Sequence, residues 1–258
     1  MTSTYLDFST VTELSGARAS SEQLSMIHTR YKLAYDHCSG KDVLDAACGP
    51  GRGLGFLAQS ARSVVGGDCA PDLVAQAKAH YGDRIEVVQM DAQAMPWQNP
   101  RFDVVILFEA LYYLPNVASF LEGCRRVLRP GGTLLLSSPN PEWPEFNPSP
   151  YSRRYYSASE LRKLLEEAGF SAEIKAAFHV RKDNLVQKAI ARVRKVAVSL
   201  NLIPKTMNGK AALKRIFYGP LSPLGPEIDT TVPTAPLVAI SSCSVPDYKI
   251  LYAIAQVR

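Results

Sequence analysis

Three features of this 258-residue chain predict an α/β fold, a mostly parallel sheet with helices on both faces. Strand-like apolar runs alternate with helical patterns over residues 43–138, as in parallel strands joined by crossover helices. One run, 102–108, is apolar at every position but Asp103, which suits a strand buried on both faces. The first run, Val43-Leu44-Asp45, breaks into the bend Ala46-Ala47-Cys48-Gly49-Pro50-Gly51-Arg52-Gly53, ahead of an apolar helical stretch over 54–61. Glycine in such a bend lets main-chain N–H groups approach a ligand that a Cβ would hold off, and the next helix aims its positive end the same way.

Each element has its own signal. Residues 1–40 begin polar and become helical around Leu24, Ile27, Tyr31, Ala34 and Tyr35. After the bend, 63–67 form a second strand ending at Asp68, and Pro71 suits the first turn of the following helix. Residues 85–90 are the third strand and 102–108 the fourth. Asn116 can cap the helix carrying Phe120, Leu121, Cys124 and Leu128. The fifth strand follows Pro130-Gly131-Gly132. Ser157-x-x-Glu160 is a capping box for the helix of Leu161, Leu164 and Leu165, which Gly169 closes. Residues 172–180 and 248–257 supply a sixth and a seventh strand.

Between those two lies an insertion, 181–246, longer than a hairpin needs and so expected to be functional. Residues 181–218 hold ten Lys or Arg against the single acid Asp183, a balance of +9 in a chain whose total is +5. The basicity is therefore local. Leu185, Ala189, Val193, Val196 and Leu200 share a helical face there, with Lys188, Arg192 and Lys195 off it. Three readings stand for this stretch: a cap helix with a solvated charged face, a surface for an anionic substrate, or peripheral membrane contact through 185–200 or RNA docking. Residues 219–246 hold six of the eighteen prolines and read as an irregular strap.

A hydrophobic share of 47% with 21% charge is ordinary for a globular protein. With no 18-residue apolar run and no basic-then-apolar leader, neither a membrane span nor a secretory signal is expected, and the expected location is cytoplasmic. Five cysteines without a Cys-x-x-Cys imply reduced thiols and no metal site. Cys48 and Cys69 read as small apolar wall residues.

The chemistry starts at the bend. Asp68, at the tip of the second strand, is placed to accept hydrogen bonds from the two hydroxyls of a ribose, which implies an adenosine-containing cofactor. A dinucleotide site wants Gly-x-Gly-x-x-Gly/Ala directly after the strand. Gly53, Gly55 and Ala58 match that string by letter but fall inside the expected helix. Read from the strand end, Asp45-x-Ala47-x-Gly49-x-Gly51 resembles motif I of the class I S-adenosylmethionine (SAM)-dependent methyltransferases, with Ala47 where the family usually has glycine. Asp91-Ala92-Gln93-Ala94-Met95-Pro96-Trp97 resembles the family's Asp-Ala-x-x-Leu-Pro-Phe segment. Arg126-Val127-Leu128-Arg129-Pro130-Gly131-Gly132-Thr133 resembles its helix end and the turn into the fifth strand.

The resemblance covers mostly 41–170 and implies a Rossmann-like seven-stranded, mostly parallel sheet with an inserted cap between the last two strands. These two strands would form its antiparallel edge. It divides the chain into a helical segment covering the cofactor (1–40), a SAM-binding core (41–180), the insertion (181–246) and a final edge strand (247–258). The implied cofactor is SAM, leaving as S-adenosylhomocysteine. Asp45, Ala47, Gly49 and Gly51 would surround its methionine part, Asp68 its ribose, and Asp91 with Ala92 its adenine. Cys69 and Met90 would flank the ring, Leu107 and Phe108 would present backbone to the sulfonium, and Tyr31 would close over it.

Methyl transfer needs positioning, exclusion of water and, for a hydroxyl acceptor, removal of a proton. Phe108-Glu109-Ala110-Leu111-Tyr112-Tyr113 resembles the Glu-x-Leu-Glu-His stretch of quinone-pathway methyltransferases, with a tyrosine pair where Glu-His would stand. No acid–base or metal role is inherited at those two positions. Candidates for the proton acceptor are His28, His179, Glu109 and Tyr113, while His37 and His80 look like surface residues. Acceptor contacts are expected from Tyr112, Tyr113, Trp143, Tyr151 and Arg153, with 139–157 and 181–246 building the pocket. The fourth strand's tip lacks the Asn/Asp/Ser-Pro-Pro-Phe/Tyr of nucleic-acid amino methylation, and no Pro-Cys nucleophile occurs. The expected acceptor is a small molecule, and the local positive charge of 181–218 suits a sugar, glycan or phosphate- or lipid-linked metabolite, anionic in the last cases, methylated on a hydroxyl. Alternatives are a natural-product or quinone-like phenol, RNA, or an NAD-dependent oxidoreductase in place of a methyltransferase. Oligomeric state is not legible.

Overall fold

The computed structural model describes residues 13–180 and 221–258. Its elements are β1 (Arg18–Ser20), α1 (Ser21–Cys38), β2 (Asp42–Asp45), α2 (Leu54–Ala58), β3 (Ser63–Asp68), α3 (Pro71–Tyr81), β4 (Glu86–Gln89), β5 (Phe102–Phe108), α4 (Val117–Val127), β6 (Leu128–Pro139), α5 (Ala158–Glu167), β7 (Phe170–His179), β8 (Leu221–Pro223), β9 (Val238–Ala239) and β10 (Tyr248–Val257). Eight strands form one sheet in the order β4-β3-β2-β5-β6-β10-β7-β9, and β1 pairs with β8 in a separate ribbon.

The caps read from sequence are made. Asn116 accepts from Ser119 N at 3.1 Å to start α4, and Ser157 and Glu160 bond each other's main chain to start α5. A second capping box, Ser20 with Gln23, opens α1. In β5, Val104 and Val105 alternate between two apolar layers. Leu44, Leu107, Phe120 and Leu136 belong to one layer, Val43, Leu54, Leu57 and Ile106 to the other, all fully or almost fully buried. Truncating a side chain such as Phe120 to Ala in a layer of this kind costs about 3–5 kcal/mol.

The last strand departs from expectation. Instead of an edge, β10 lies between β6 and β7, with Leu251 opposite Ser138 on one side and Ala176 on the other. It is antiparallel to both, so β7 runs with the parallel strands. Burial explains the position: Leu251, Tyr252 and Ala253 are at most 1% exposed, which an edge strand could not provide. The edge is β9, two residues of the proline-rich stretch, and it makes the sheet eight-stranded rather than seven.

The described part of the insertion packs back over α1. Ser25 Oγ donates to Pro233 O at 2.7 Å, and Ala235 N donates to Thr29 Oγ1 at 2.9 Å. The basic stretch 181–218, including the 185–200 face, lies outside the described residues. At the N-terminal ends of the strands, Arg62 and Arg129 both pair with Asp42 and Asp103. The opposite, C-terminal ends carry the cavity.

Candidate functional site

A cavity of about 760 Å³ opens over the C-terminal ends of β2, β3, β4 and β5. Its volume lies within the ~300–1,000 Å³ of small-molecule sites. The bend after β2 forms one wall. Gly49 N donates to Asp68 Oδ2 at 2.9 Å, and Ala70 N donates to Asp68 Oδ1 at 2.9 Å, so this carboxylate ties the β2 bend to the β3 turn while lining the cavity. Burial pushes the Asp68 carboxyl above its ordinary value.

Gly51, expected on the cofactor, does not line the cavity. It has φ +86°, and an added Cβ would stand 2.9 Å from the Tyr81 ring and 3.0 Å from Ala77. Tyr81 Oη donates to Gly51 O at 2.8 Å, so this glycine seats the bend against α3. Gly53 caps α2, and Gly55 and Ala58 lie within the helix. The dinucleotide string is therefore not the turn. A Cβ on Gly53 would fall 1.9 Å from the Tyr31 ring, so this glycine admits Tyr31 of α1.

Tyr31 Oη donates to Asp45 Oδ2 at 2.9 Å, and its ring meets Phe108 edge-on at 5.4 Å. Asp45 sits behind the cavity wall of Ala46 and Ala47, fully buried. Its Oδ1 has no hydrogen-bond partner among the described residues. Burial pushes this carboxyl up to about 7, against the pull of the Tyr31 bond, of the Ala47 main-chain N–H and of Arg30.

Of the residues expected around the cofactor, Tyr31, Ala47, Gly49, Asp68, Cys69, Met90, Asp91, Ala92 and Phe108 line the cavity. Asp91 also caps the short turn after β4, accepting from Gln93 N at 2.8 Å. Burial pushes the Cys69 thiol up to about 11 and raises that of Cys48, which keeps both protonated near neutrality and fits the wall reading.

Three charged lining residues carry no expectation from the sequence: Glu13, Arg30 and Arg52. Arg30 donates to both Glu13 oxygens, one at 3.3 Å. Burial works to lower the pKa of this guanidinium, but Glu13 and Glu109 outweigh that and hold it above its ordinary value. Arg52 donates to Glu13 O at 2.8 Å and to Gly225 O, and burial lowers its pKa. The Nε atoms of both arginines are buried without a partner among the described residues. A signal for Arg30 existed: it falls on the stripe of Ile27, Tyr31 and Ala34, where a charge is out of place. Arg52 stands between two glycines of the bend. Nothing local marks Glu13.

On the acceptor side the cavity gathers Glu109, Tyr112, Tyr113 and Arg153. Glu109 holds φ +53°, a conformation that costs a non-glycine residue about 1–3 kcal/mol and persists only where its surroundings impose it. They do: its N–H donates to Ser137 O at 3.0 Å, Ser137 Oγ donates to Oε1 at 3.0 Å, and Tyr112 Oη reaches Oε2 at 3.4 Å. Burial raises its carboxyl, opposed by Arg30.

Other expected contacts fall elsewhere. Trp143 and Tyr151 do not line the cavity; Lys249 lies over the Trp143 ring, and Tyr151 is 44% exposed. His28 is buried with Nδ1 2.5 Å from Val232 O and its ring edge-on to Phe56, a structural histidine. His179 is exposed and packs edge-on against Tyr248, away from the cavity. Residues 221–246 contribute no lining side chain, because the strap covers α1. Among the described residues no three His, Cys, Asp or Glu side chains come together as a metal-ligand set.

Residues 44–136 match the methyltransferase domain family. A Mycolicibacterium smegmatis protein named "Probable S-adenosylmethionine-dependent methyltransferase" is 38% identical over 149 residues, 55% of this chain and 57% of that one. A ubiquinone biosynthesis O-methyltransferase of Pseudomonas paraeruginosa is 34% identical over 131 residues, 49% of this chain and 54% of its own. The chain thus spans little more than half the length of these curated relatives. The fold is shared with solved SAM-dependent methyltransferases. One from Archaeoglobus fulgidus has TM-score 0.55 at 19% identity, covering 92% of this chain and 95% of that one. Another from Thermotoga maritima has TM-score 0.60 at 13% identity, covering 92% and 94%. Residues 44–136 thus carry a methyltransferase domain, in a chain whose sequence is similar to SAM-dependent methyltransferases and whose fold they share.

Proposed function

We propose that the chain binds SAM in this cavity and methylates a hydroxyl of a small molecule. One observation carries the reading: Asp45 Oδ1, Arg30 Nε and Arg52 Nε are buried polar atoms without partners among the described residues, grouped by the bend. Leaving such atoms unpaired costs about 1–3 kcal/mol each, more for charged groups. The zwitterionic end of an amino acid supplies what they lack, a carboxylate for the guanidiniums and an ammonium facing the acid across the wall of Ala46 and Ala47. Asp68 lies where a ribose would follow, and Met90 and Ala92 offer an apolar slot with Asp91 at its rim.

When bound, SAM supplies a methyl group made electrophilic by its sulfonium. The chain's own part is to orient and to exclude water. Tyr31 and Phe108, both buried and in edge-to-face contact, close the cavity over the bend. Glu109, held by Ser137 and Tyr112 and with its carboxyl raised by burial, receives the proton of the acceptor hydroxyl.

Titration calorimetry with S-adenosylhomocysteine and NAD, followed by a labelled-methyl screen read by product mass, tests the reading. Binding of NAD but not S-adenosylhomocysteine would end it. Transfer to RNA, unaccompanied by transfer to small hydroxyl compounds, would end the acceptor assignment. A phenolic acceptor is the second reading. It is supported by the stack of Tyr112 on Tyr155, 4.5 Å apart at 19°, beside the cavity, and by the relatives named ubiquinone biosynthesis O-methyltransferases. The sugar or glycan reading drew on the basic stretch 181–218, outside the described residues.

A further inference from the structure

We infer that Arg153 is an oxyanion subsite of the acceptor pocket, so that the acceptor carries a carboxylate or phosphate group as well as the hydroxyl presented to Glu109. This rests on the methyl-transfer reading and names the class of its acceptor.

Arg153 differs from the other arginines around it. The guanidiniums of Arg30 and Arg52 in the same cavity are engaged by Glu13, and that of its neighbour Arg154 bonds Glu160 at 3.0 Å and lies over the Tyr156 ring. The Arg153 side chain has no hydrogen bond, ion pair or ring contact among the described residues, yet it lines the cavity.

Arg153 is exposed at the mouth of the cavity, but its main chain is held in place. Arg153 N donates to Tyr112 O at 2.7 Å, which fixes its main chain against the turn that follows Glu109. The flanking segment is held as well. Tyr155 stacks on Tyr112, Ser149 N donates to Tyr155 Oη at 2.9 Å, and Tyr113 Oη shares a hydrogen bond with Ser149 Oγ at 2.6 Å. This aromatic unit thus holds the main chain of Arg153 at the mouth of the cavity that the Glu109 side chain also lines. A planar fork of N–H donors matches the two oxygens of a carboxylate or phosphate, and such charge-assisted pairs are the stronger class of hydrogen bond. The other lining guanidiniums, Arg30 and Arg52, face the bend where the cofactor's own carboxylate is proposed to sit, which leaves Arg153 for an anionic group of the acceptor.

The test is a titration of the full chain, with and without S-adenosylhomocysteine, by benzoate and by inorganic phosphate. The arginine Nε–H signals are followed by NMR at constant ionic strength, with chloride as the reference salt. The signal lost in Arg153→Gln is expected to shift saturably with at least one of the two anions and at least five-fold more than with chloride. Arg154→Gln, whose parent side chain is already bonded, should leave that shift unchanged. Saturation by benzoate alone assigns a carboxylate acceptor, and saturation by phosphate alone a phosphorylated one. A signal that follows all three salts alike overturns the subsite, whether or not the cofactor product binds. Failure of S-adenosylhomocysteine to bind, with the anion shift intact, would instead strike the methyl-transfer reading.

Discussion

Burial holds the Asp45 carboxyl near 7 rather than at the ordinary 3.8, so a cofactor ammonium seated by it should expel a proton on binding. The groups facing Asp45 are Tyr31, which donates to it, Arg30, Asp68 and Cys48. An acid whose folded pKa lies above its unfolded one loses stability as pH rises between the two, here by about 4 kcal/mol from pH 4 to above 7. In the free protein Asp45 is about nine-tenths protonated at pH 6 and about one-tenth at pH 8. An ammonium within about 4–6 Å of a carboxyl lowers its pKa by about 1–3 units; a drop of about 2 leaves roughly one-tenth protonated at pH 6. Binding of S-adenosylhomocysteine should therefore release about 0.8 proton at pH 6 and about 0.1 at pH 8. Calorimetry in buffers of different ionisation enthalpy reads that number directly. Asp45→Asn should abolish the release and weaken binding about 10–100-fold, the weight of a charged hydrogen bond. Equal release in the wild type and in Asp45→Asn would refute the reasoning, because the proton would then come from another group.

Asp68→Ala should weaken S-adenosylhomocysteine binding at least tenfold and also lower the melting temperature, since the N–H groups of Gly49 and Ala70 lose their acceptor at about 1–3 kcal/mol each. Unchanged affinity would remove Asp68 from the ribose. Gly53→Ala places a methyl group 1.9 Å from the Tyr31 ring and should destabilise the chain by at least ~1–3 kcal/mol in urea unfolding, with loss of cofactor affinity. Glu109→Gln should keep S-adenosylhomocysteine affinity within a few-fold while methyl transfer loses the acidic limb of its pH profile; an unaltered profile would exclude Glu109 as proton acceptor. His179→Ala, distant from the cavity, should leave transfer unchanged, and a large loss would return that histidine to the site.

Much of the cavity was readable because its residues follow strand ends in short, ordered runs. The bend after β2, Asp68 at the tip of β3 and Asp91 after β4 each belong to a local pattern whose place in a parallel sheet follows from the pattern alone. Tyr31 was legible for a similar reason, lying on the apolar stripe of a helix. Gly51 lies off the cavity lining, and a glycine required by a left-handed turn and a close helix looks the same in sequence as one required by a ligand. The histidines were weighed by residue type, and their burial against Val232 or exposure beside Tyr248 depends on chain segments far away in sequence.

Periodicity and caps, which are short-range, carry the strand–helix alternation, the cofactor bend and the helix starts in the order of the residues. The interior position of β10, the two-residue edge β9, and the joining of Glu13 to Arg30 and Arg52 come from pairings across much of the chain. Such pairings are chosen by which surfaces can be buried together and which charges must then be met, and no local pattern encodes that choice.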